Sequence, residues 1–155
     1  MTKDYKELAV AALRSGTVID HIPSQNLFKA VKILGIEGMD RAVTIGNNLE
    51  SKRYGRKGII KVADVEFPEQ VINRIALIAP HAKINIIRDY EVAEKHPVQL
   101  PDTIVGIVKC PNPKCITNNE PMRTRFAVTE HSPEDVNLRC LYCNRTVAGS
   151  EAVIE

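Results

Sequence analysis

This 155-residue sequence predicts an α+β fold: a ferredoxin-like (βαββαβ) N-terminal domain followed by a small all-β C-terminal zinc domain built on four cysteines. Two observations carry that prediction. Up to residue 92, β-rich runs and amphipathic helical patterns follow one another as strand, helix, strand, strand, helix, strand. All four cysteines, and six of the nine prolines, then lie from Pro97 onwards.

TVIDHI (17–22) is the first strand. After Pro23, Ser24 is the expected N-cap of a helix whose Leu27, Phe28, Val31 and Leu34 share one face and whose end falls at Gly35. RAVTIGNNL (41–49) and GRKGIIKVADV (55–65) supply the next two strands. A second helix takes Pro68 in its first turn, followed by Glu69; it carries Val71, Ile72, Ile75 and Ile78 on one face and stops before Pro80. KINIIRDYEV (83–92) is the fourth strand. This order places both helices on one face of an antiparallel sheet and leaves the other free for a ligand or a second subunit. The LAVAAL stretch within residues 1–14 suits either a helix or a further strand.

HPVQLPD (96–102) reads as an extended, stiff linker, so residues 1–96 and 103–155 are expected to form separate domains. TIVGIVKC, TRFAVTEH, VNLRCLYC and TVAGSEAVI are the short apolar runs of the second, all-β unit.

The cysteines fall in CPNPKC and CLYC: Cys110 and Cys115, then Cys140 and Cys143. Two close pairs separated by a loop are what a tetrahedral cation requires, since each turn offers two thiolates from one side. The second pair has the common two-residue spacing and the first has four intervening residues, a variant of a zinc ribbon. Iron also accepts four sulfurs, but zinc is the expected occupant, one per chain. A closed site of four thiolates has no open position, so the metal is structural; its loss is expected to unfold this domain first.

The net charge is +2, aromatic residues make up 5% and Trp is absent, so neither a strong polyanion-binding field nor a stacking platform is written into the composition. The N-terminus lacks a signal-peptide run and no uncharged run exceeds eight residues, against about 20 for a membrane span. The expectation is a soluble, cytoplasmic protein with no membrane partner.

KRYGRKGIIK concentrates Lys52, Arg53, Arg56, Lys57 and Lys61. Lys57, Ile59 and Lys61 share a strand face, with the two lysines originating about 13 Å apart, a span that suits an extended phosphorylated ligand. A solvated, lysine-studded edge that resists aggregation is the other reading. In GTVIDHIP, Val18 and Asp20 point opposite to Ile19 and His21, so Asp20 and His21 address one ligand only if the strand bends, as Pro23 permits. No GxSxG or Gly-rich phosphate loop accompanies the pair, and every cysteine belongs to the metal set. That leaves a strand-end hydrogen-bonding pair ahead of a catalytic one. A zinc-ribbon nucleic-acid-binding adaptor is the alternative of another class; GRKGIIKVADV lacks the aromatics that RNA-binding sheets use for stacking.

Together, RSGTVIDHIP, TIGNNL with GRKGIIK, DYEV with the following Lys95, and CPNPKC with CLYC resemble the regulatory chain of aspartate carbamoyltransferase over essentially the whole sequence. The resemblance implies a non-catalytic subunit in pyrimidine biosynthesis. Its N-terminal domain would bind ATP or CTP, in some members UTP; its zinc domain would dock on the catalytic chain, and regulatory homodimers would bridge catalytic trimers. No nucleic-acid partner is implied. By position, Asp20 and Lys61 would meet the ribose and base, with His21, Lys57 and Lys95 toward the phosphates. Val10, Ala12, Leu13, Val18, Ile87, Tyr90 and Val92 would line the base pocket, partly through main-chain hydrogen bonds. Asn112, Glu120 and Tyr142 are the docking candidates. Ala11 stands where the best-known member of the family has an acidic residue, so the ranking of effectors is not carried over; Lys114 replaces a polar amide in the CPNPKC loop that would face the catalytic chain, so the detailed docking contacts are not carried over. The 96–102 linker and the second helix are expected to transmit the signal between domains.

Overall fold

The computed structural model describes residues 13–52, 55–132 and 135–154. Val10, Ala11 and Ala12 lie outside them, as does all of LAVAAL except Leu13. Strand β1 (Gly16–Pro23) runs into a 3-10 turn (Ser24–Asn26) and helix α1 (Leu27–Leu34); β2 (Val43–Ser51), β3 (Gly55–Ala63), α2 (Glu69–Ile75), β4 (Lys83–Arg88) and β5 (Glu91–Pro97) follow. The sheet order is β2-β3-β1-β4-β5, with every neighbouring pair antiparallel. Its first four strands have the split βαβ arrangement that the element order predicts.

Strand periodicity divides the sheet into two faces. Val62, Thr17 and Ile86 pair directly, as do Ile60, Ile19 and Ile84, and all six side chains are buried beneath the helices. Leu27, Ala30, Ile33 and Leu34 of α1, with Ile72 and Ile75 of α2, complete that layer. Thr17, the one polar member of these rows, satisfies its hydroxyl by donating to the Val65 carbonyl at 2.6 Å.

Three expectations are corrected. The run 83–92 is a hairpin, not one strand: Asp89 and Tyr90 have φ of 52° and 66°, the paired left-handed residues that reverse a chain in a tight turn. As a result His96 and Pro97 belong to β5, not to a linker. The first helix is capped by Asn26 instead of Ser24, because residues 24–26 form a 3-10 turn; the buried stripe rotates to Leu27, Ala30, Ile33 and Leu34, leaving Phe28 70% exposed. Gly35 ends this helix as expected, at φ 65°. In α2, Pro68 is the N-cap, Ile72 and Ile75 are buried, and Ile78 is buried in the turns beyond its end.

The C-terminal part comprises β6 (Thr103–Val105), β7 (Val108–Lys109), β8 (Arg125–Ser132), β9 (Asp135–Cys140), β10 (Thr146–Ala148) and β11 (Val153–Ile154). They form a four-stranded sheet, β10-β9-β8-β6, and a β7-β11 ribbon. Ile104, Val108, Phe126, Val136, Leu138 and Ile154 are among its buried residues, and they belong to one cluster with the core of the N-terminal sheet. The segment between the two sheets is not a free spacer: Val98 and Leu100 pack against that cluster, and the Gln99 N–H donates to Asn73 Oδ1 at 3.3 Å. Among the described residues no helix is long and apolar enough to cross a membrane.

Candidate functional site

The helix-free face of the N-terminal sheet gathers most of the sequence-predicted ligand residues. Thr44, Lys61, Val18, Asn85 and Lys95 pair in one row across all five strands. Ile87 pairs with both Gly16 and Val92 on the same face. By alternation, Asp20 shares this face with Val18, and Lys57 shares it with Lys61.

The bend that brings Asp20 into use lies at His21, not at Pro23. Ile19 pairs with Ile60 and Ile22 with Gly58, so β1 carries one residue more than β3 over this interval. His21 absorbs the excess at φ 61°, a left-handed conformation uncommon for a residue with a side chain. Its N–H donates to Asp20 Oδ1 at 2.7 Å, and the same oxygen receives Lys57 Nζ at 2.8 Å. The bulge also returns Ile22 to the core, where it is fully buried. A second bulge, in β2, faces the same level of β3: the register slips between Gly46 and Leu49, with Asn48 at φ 59°. Gly58 sits between the two. A Cβ there would lie 2.6 Å from Leu27 Cδ1, so glycine allows the start of α1 to rest directly on β3. Sequence reading missed Gly58 and Asn48, although GRKG and GNN both carry turn and bulge chemistry.

Burial lowers the Lys61 pKa, and the Asp20 carboxylate opposes that shift. Lys95 is exposed on edge strand β5. Tyr90 and Val92 are 67% and 49% exposed at the hairpin end, where the Tyr90 N–H donates to the Arg14 carbonyl at 2.9 Å. Leu13 is half-buried. The arrangement offers three ammonium groups for an anion and one carboxylate able to accept from hydroxyls. Among the described residues no catalytic set stands with it: the Asp20 Oδ1 is already engaged by Lys57 and the His21 amide.

The second constellation is the four cysteines. Their sulfurs all lie within 4.8 Å of one another, with Cys110 and Cys143 Sγ 3.6 Å apart and Cys115 and Cys140 Sγ 3.8 Å apart. A tetrahedron of thiolates about 2.3 Å from a central ion has edges of about 3.8 Å, so the donors fit a tetrahedral metal. None of the four is disulfide-bonded. Each turn aims amides at its sulfurs: the Asn112 N–H at Cys110, those of Tyr142 and Cys143 at Cys140, and that of Arg145 at Cys143.

Burial pushes the Cys110 thiol up to about 12 and raises Cys140, against those amide bonds. Burial acts the same way on Cys143, but the Arg145 N–H, the Asn112 side chain and the neighbouring thiols outweigh it and hold Cys143 down at about 6. A cluster with its donors pulled in opposite directions is one that a cation would resolve by taking all four as thiolates.

The first turn is held by residues that sequence reading did not single out. Asn118 Nδ2 donates to the carbonyls of Cys110 and Asn112, at 2.9 and 2.7 Å, and Asn119 Nδ2 to that of Cys115 at 2.9 Å. The Asn118-Asn119 dipeptide that closes the 3-10 turn Ile116–Asn118 is the available signal. Asn112, a docking candidate, is half-buried and spent on this turn, its Oδ1 accepting from the Lys114 N–H at 3.0 Å. Glu120 and Tyr142 are exposed, and Ile116 and Leu141 add apolar surface beside them.

Comparison with known proteins bears on both constellations. A family model described as aspartate carbamoyltransferase regulatory chain, allosteric domain, matches residues 8–99, and one described as the metal-binding domain of the same chain matches residues 102–153. Curated relatives named aspartate carbamoyltransferase regulatory chain include one from Porphyromonas gingivalis, 57% identical over 93% of this chain and 94% of its own. One from Bacteroides thetaiotaomicron is 53% identical over 99% of each chain, and one from Thermococcus gammatolerans is 47% identical over 95% of this chain and 97% of its own. This chain belongs to the aspartate carbamoyltransferase regulatory-chain family, with an allosteric and a metal-binding domain, and is a non-catalytic subunit.

Proposed function

We propose that, as a member of that family, this chain binds a nucleoside triphosphate, ATP or CTP and in competition UTP, on the helix-free face of its N-terminal sheet. The observation that carries the reading is the row Lys61–Val18–Asn85–Lys95 lying beside the Asp20–Lys57 ion pair. Lys57 and Lys95 supply charge for phosphates, with His21 adding a charge that depends on pH. Asp20 accepts from ribose hydroxyls, Lys61 lies at the sugar and base, and Leu13, Val18, Ile87, Tyr90 and Val92, with Val10 and Ala12, give the base its surroundings.

Residues 1–96 act as the effector domain and 103–155 as a zinc domain that docks on the catalytic chain. Zinc, one per chain, suits four thiolates in a closed site better than a harder cation would. The exposed Ile116, Leu141 and Tyr142, with Glu120, provide a docking surface on the very turns that hold the metal. A regulatory homodimer would cover the exposed Phe28 and Ile45 beside edge strand β2. In the cytoplasm the assembly would tune the catalytic chains in pyrimidine biosynthesis. The effector acts only by its different affinity for two quaternary states, and a coupling of about 1 to 3 kcal/mol is enough.

The test is reconstitution. The purified chain, mixed with catalytic chains from the same source, is expected to co-elute with them as a larger complex whose aspartate saturation shifts with ATP and CTP. Absence of a complex would overturn the docking reading. A complex indifferent to every nucleotide would overturn the effector reading alone.

A further inference from the structure

We infer that Asn26, Lys29, Leu77 and Gly149 form a mechanical joint that fixes the metal-binding domain to the start of α1, and through it to the bulge carrying Asp20 and His21. Its regulatory meaning rests on the ligand reading above; its mechanical part does not.

The joint has three corners, each from a different part of the chain. Gly149, in the 3-10 turn after β10, approaches the Leu77 carbonyl so closely that an added Cβ would lie 2.2 Å from the Leu77 oxygen. Gly149 has no left-handed φ, so its glycine serves close approach between two segments and not a turn. The next carbonyl along, that of Ile78, accepts from Asn26 Nδ2 at 2.8 Å, and Asn26 is 2% exposed. One helical step from Asn26, Lys29 donates its ammonium to the Ser150 carbonyl, beside Gly149. The contacts thus close a circuit from residues 26 and 29 to 77 and 78 and to 149 and 150.

Both ends of the circuit lead to functional groups over short, rigid distances. Ile22 and Pro23 are buried and join the His21 bulge directly to the 3-10 turn that ends at Asn26. On the other side, Ala148 pairs with Asn137 of β9, the strand that ends at the ligand Cys140. A change in the bulge therefore has a continuous path of packed backbone to the metal turns. The path leaves from the first helix and the turn after α2, and runs beside the 96–102 segment, whose Val98 and Leu100 pack on the same cluster.

The test uses the full-length, metal-loaded chain and measures NMR relaxation separately over the N-terminal and C-terminal sheets. The wild type is expected to show a single rotational correlation time, with Lys29→Met and Gly149→Ala each giving two. Lys29→Arg, which keeps a donor, should restore one; if Gly149→Ala fails to fold, Lys29→Met decides. A single correlation time in Lys29→Met overturns the joint. In a second arm, ATP added to the wild type should shift amide signals near Asn137 and Gly149, and Lys29→Met should lose those shifts while binding ATP as before. Shifts that persist in Lys29→Met overturn the coupling. ATP that does not bind the wild type overturns the ligand reading, and the correlation times still decide the joint.

Discussion

Lys57 Nζ lies 2.8 Å from Asp20 Oδ1, and the contact depends on the left-handed turn at His21, the residue next to Asp20. The two side chains are 19% and 24% exposed, so the pair is partly solvated and stabilises the fold by no more than about 1 kcal/mol. Asp20→Asn should therefore cost little in chemical denaturation. It should cost much more in binding, because charge-assisted hydrogen bonds to a ligand contribute about 1.5 to 3 kcal/mol each, or about tenfold or more in affinity. Calorimetric titration with ATP and CTP checks this; unchanged affinity would remove Asp20 from the site.

Lys61 gives a pH dependence whose sign follows from its lowered pKa. Burial penalises its charged form in the folded chain, so at neutral pH Lys61 weakens the fold, and that penalty fades as the pH rises through the lowered value toward 10.5. An acceptor oxygen of the bound sugar or base would favour the charged form. Nucleotide affinity should hence be full below the lowered pKa and decline as the pH rises through it, before 10.5 is reached. Lys61→Met should bind nucleotide poorly, lose this decline and yet melt no lower than the wild type. Titration calorimetry across alkaline pH, paired with thermal melts, tests both halves; a melt well below wild type would contradict the burial argument.

At His21 the backbone, not only the imidazole, is under constraint. A non-glycine residue held left-handed costs on the order of 1 kcal/mol, and a β-branched one more. His21→Gly should keep stability within about 1 kcal/mol of wild type, relief of strain being offset by the freer unfolded chain. His21→Val should lose about 1 to 3 kcal/mol as the bulge resists it. Denaturant midpoints separate the two, and equal losses would show that the left-handed turn is not what the position demands.

Much of this face was legible in the sequence because strand alternation is strictly local. Val18 with Asp20, and Lys57 with Lys61, follow from a period of two, and the four cysteines follow from spacing alone. What escaped depends on non-local or irregular backbone. The Asp89–Tyr90 turn lacks the glycine that usually marks a two-residue hairpin, so 83–92 read as one strand. The bend is expected at Pro23 because proline is the visible breaker, whereas a bulge at His21 supplies it. Phe28 scored as core by its type and spacing until the 3-10 turn rotated the helix under it. Gly149 and Lys29, each far in sequence from its partner, left no local trace.

Gly58 tests how closely helix and sheet are fitted beneath the ligand face. Gly58→Ala puts a methyl group 2.6 Å from Leu27 Cδ1 and 3.2 Å from Asn47 Oδ1, and Leu27 is fully buried. The fold should lose about 1 to 3 kcal/mol by overpacking. Because Gly58 pairs with Ile22 across the bulge, nucleotide affinity should fall as well. A variant as stable as wild type would mean that Leu27 has room to move aside.

Metal removal probes the continuity of the core. With the ion withdrawn by a chelator, the buried sulfurs lose the charge that balances them, and Cys110 and Cys140 take up protons in line with their raised pKa values. Acidification should release the metal in the same sense, since its ligands must be thiolates. Residues 103–154 should unfold first, by hydrogen exchange followed with mass spectrometry. The effect should not stop there: Phe126, Leu138 and Ile154 share one buried cluster with Ile19, Leu27 and Ile78, and Gly149 abuts Leu77. Exchange in α1 and in the turns after α2 should rise as well, with the rest of the N-terminal sheet least affected. If chelation left residues 16–97 with unaltered exchange, the two parts would be energetically independent despite their contact.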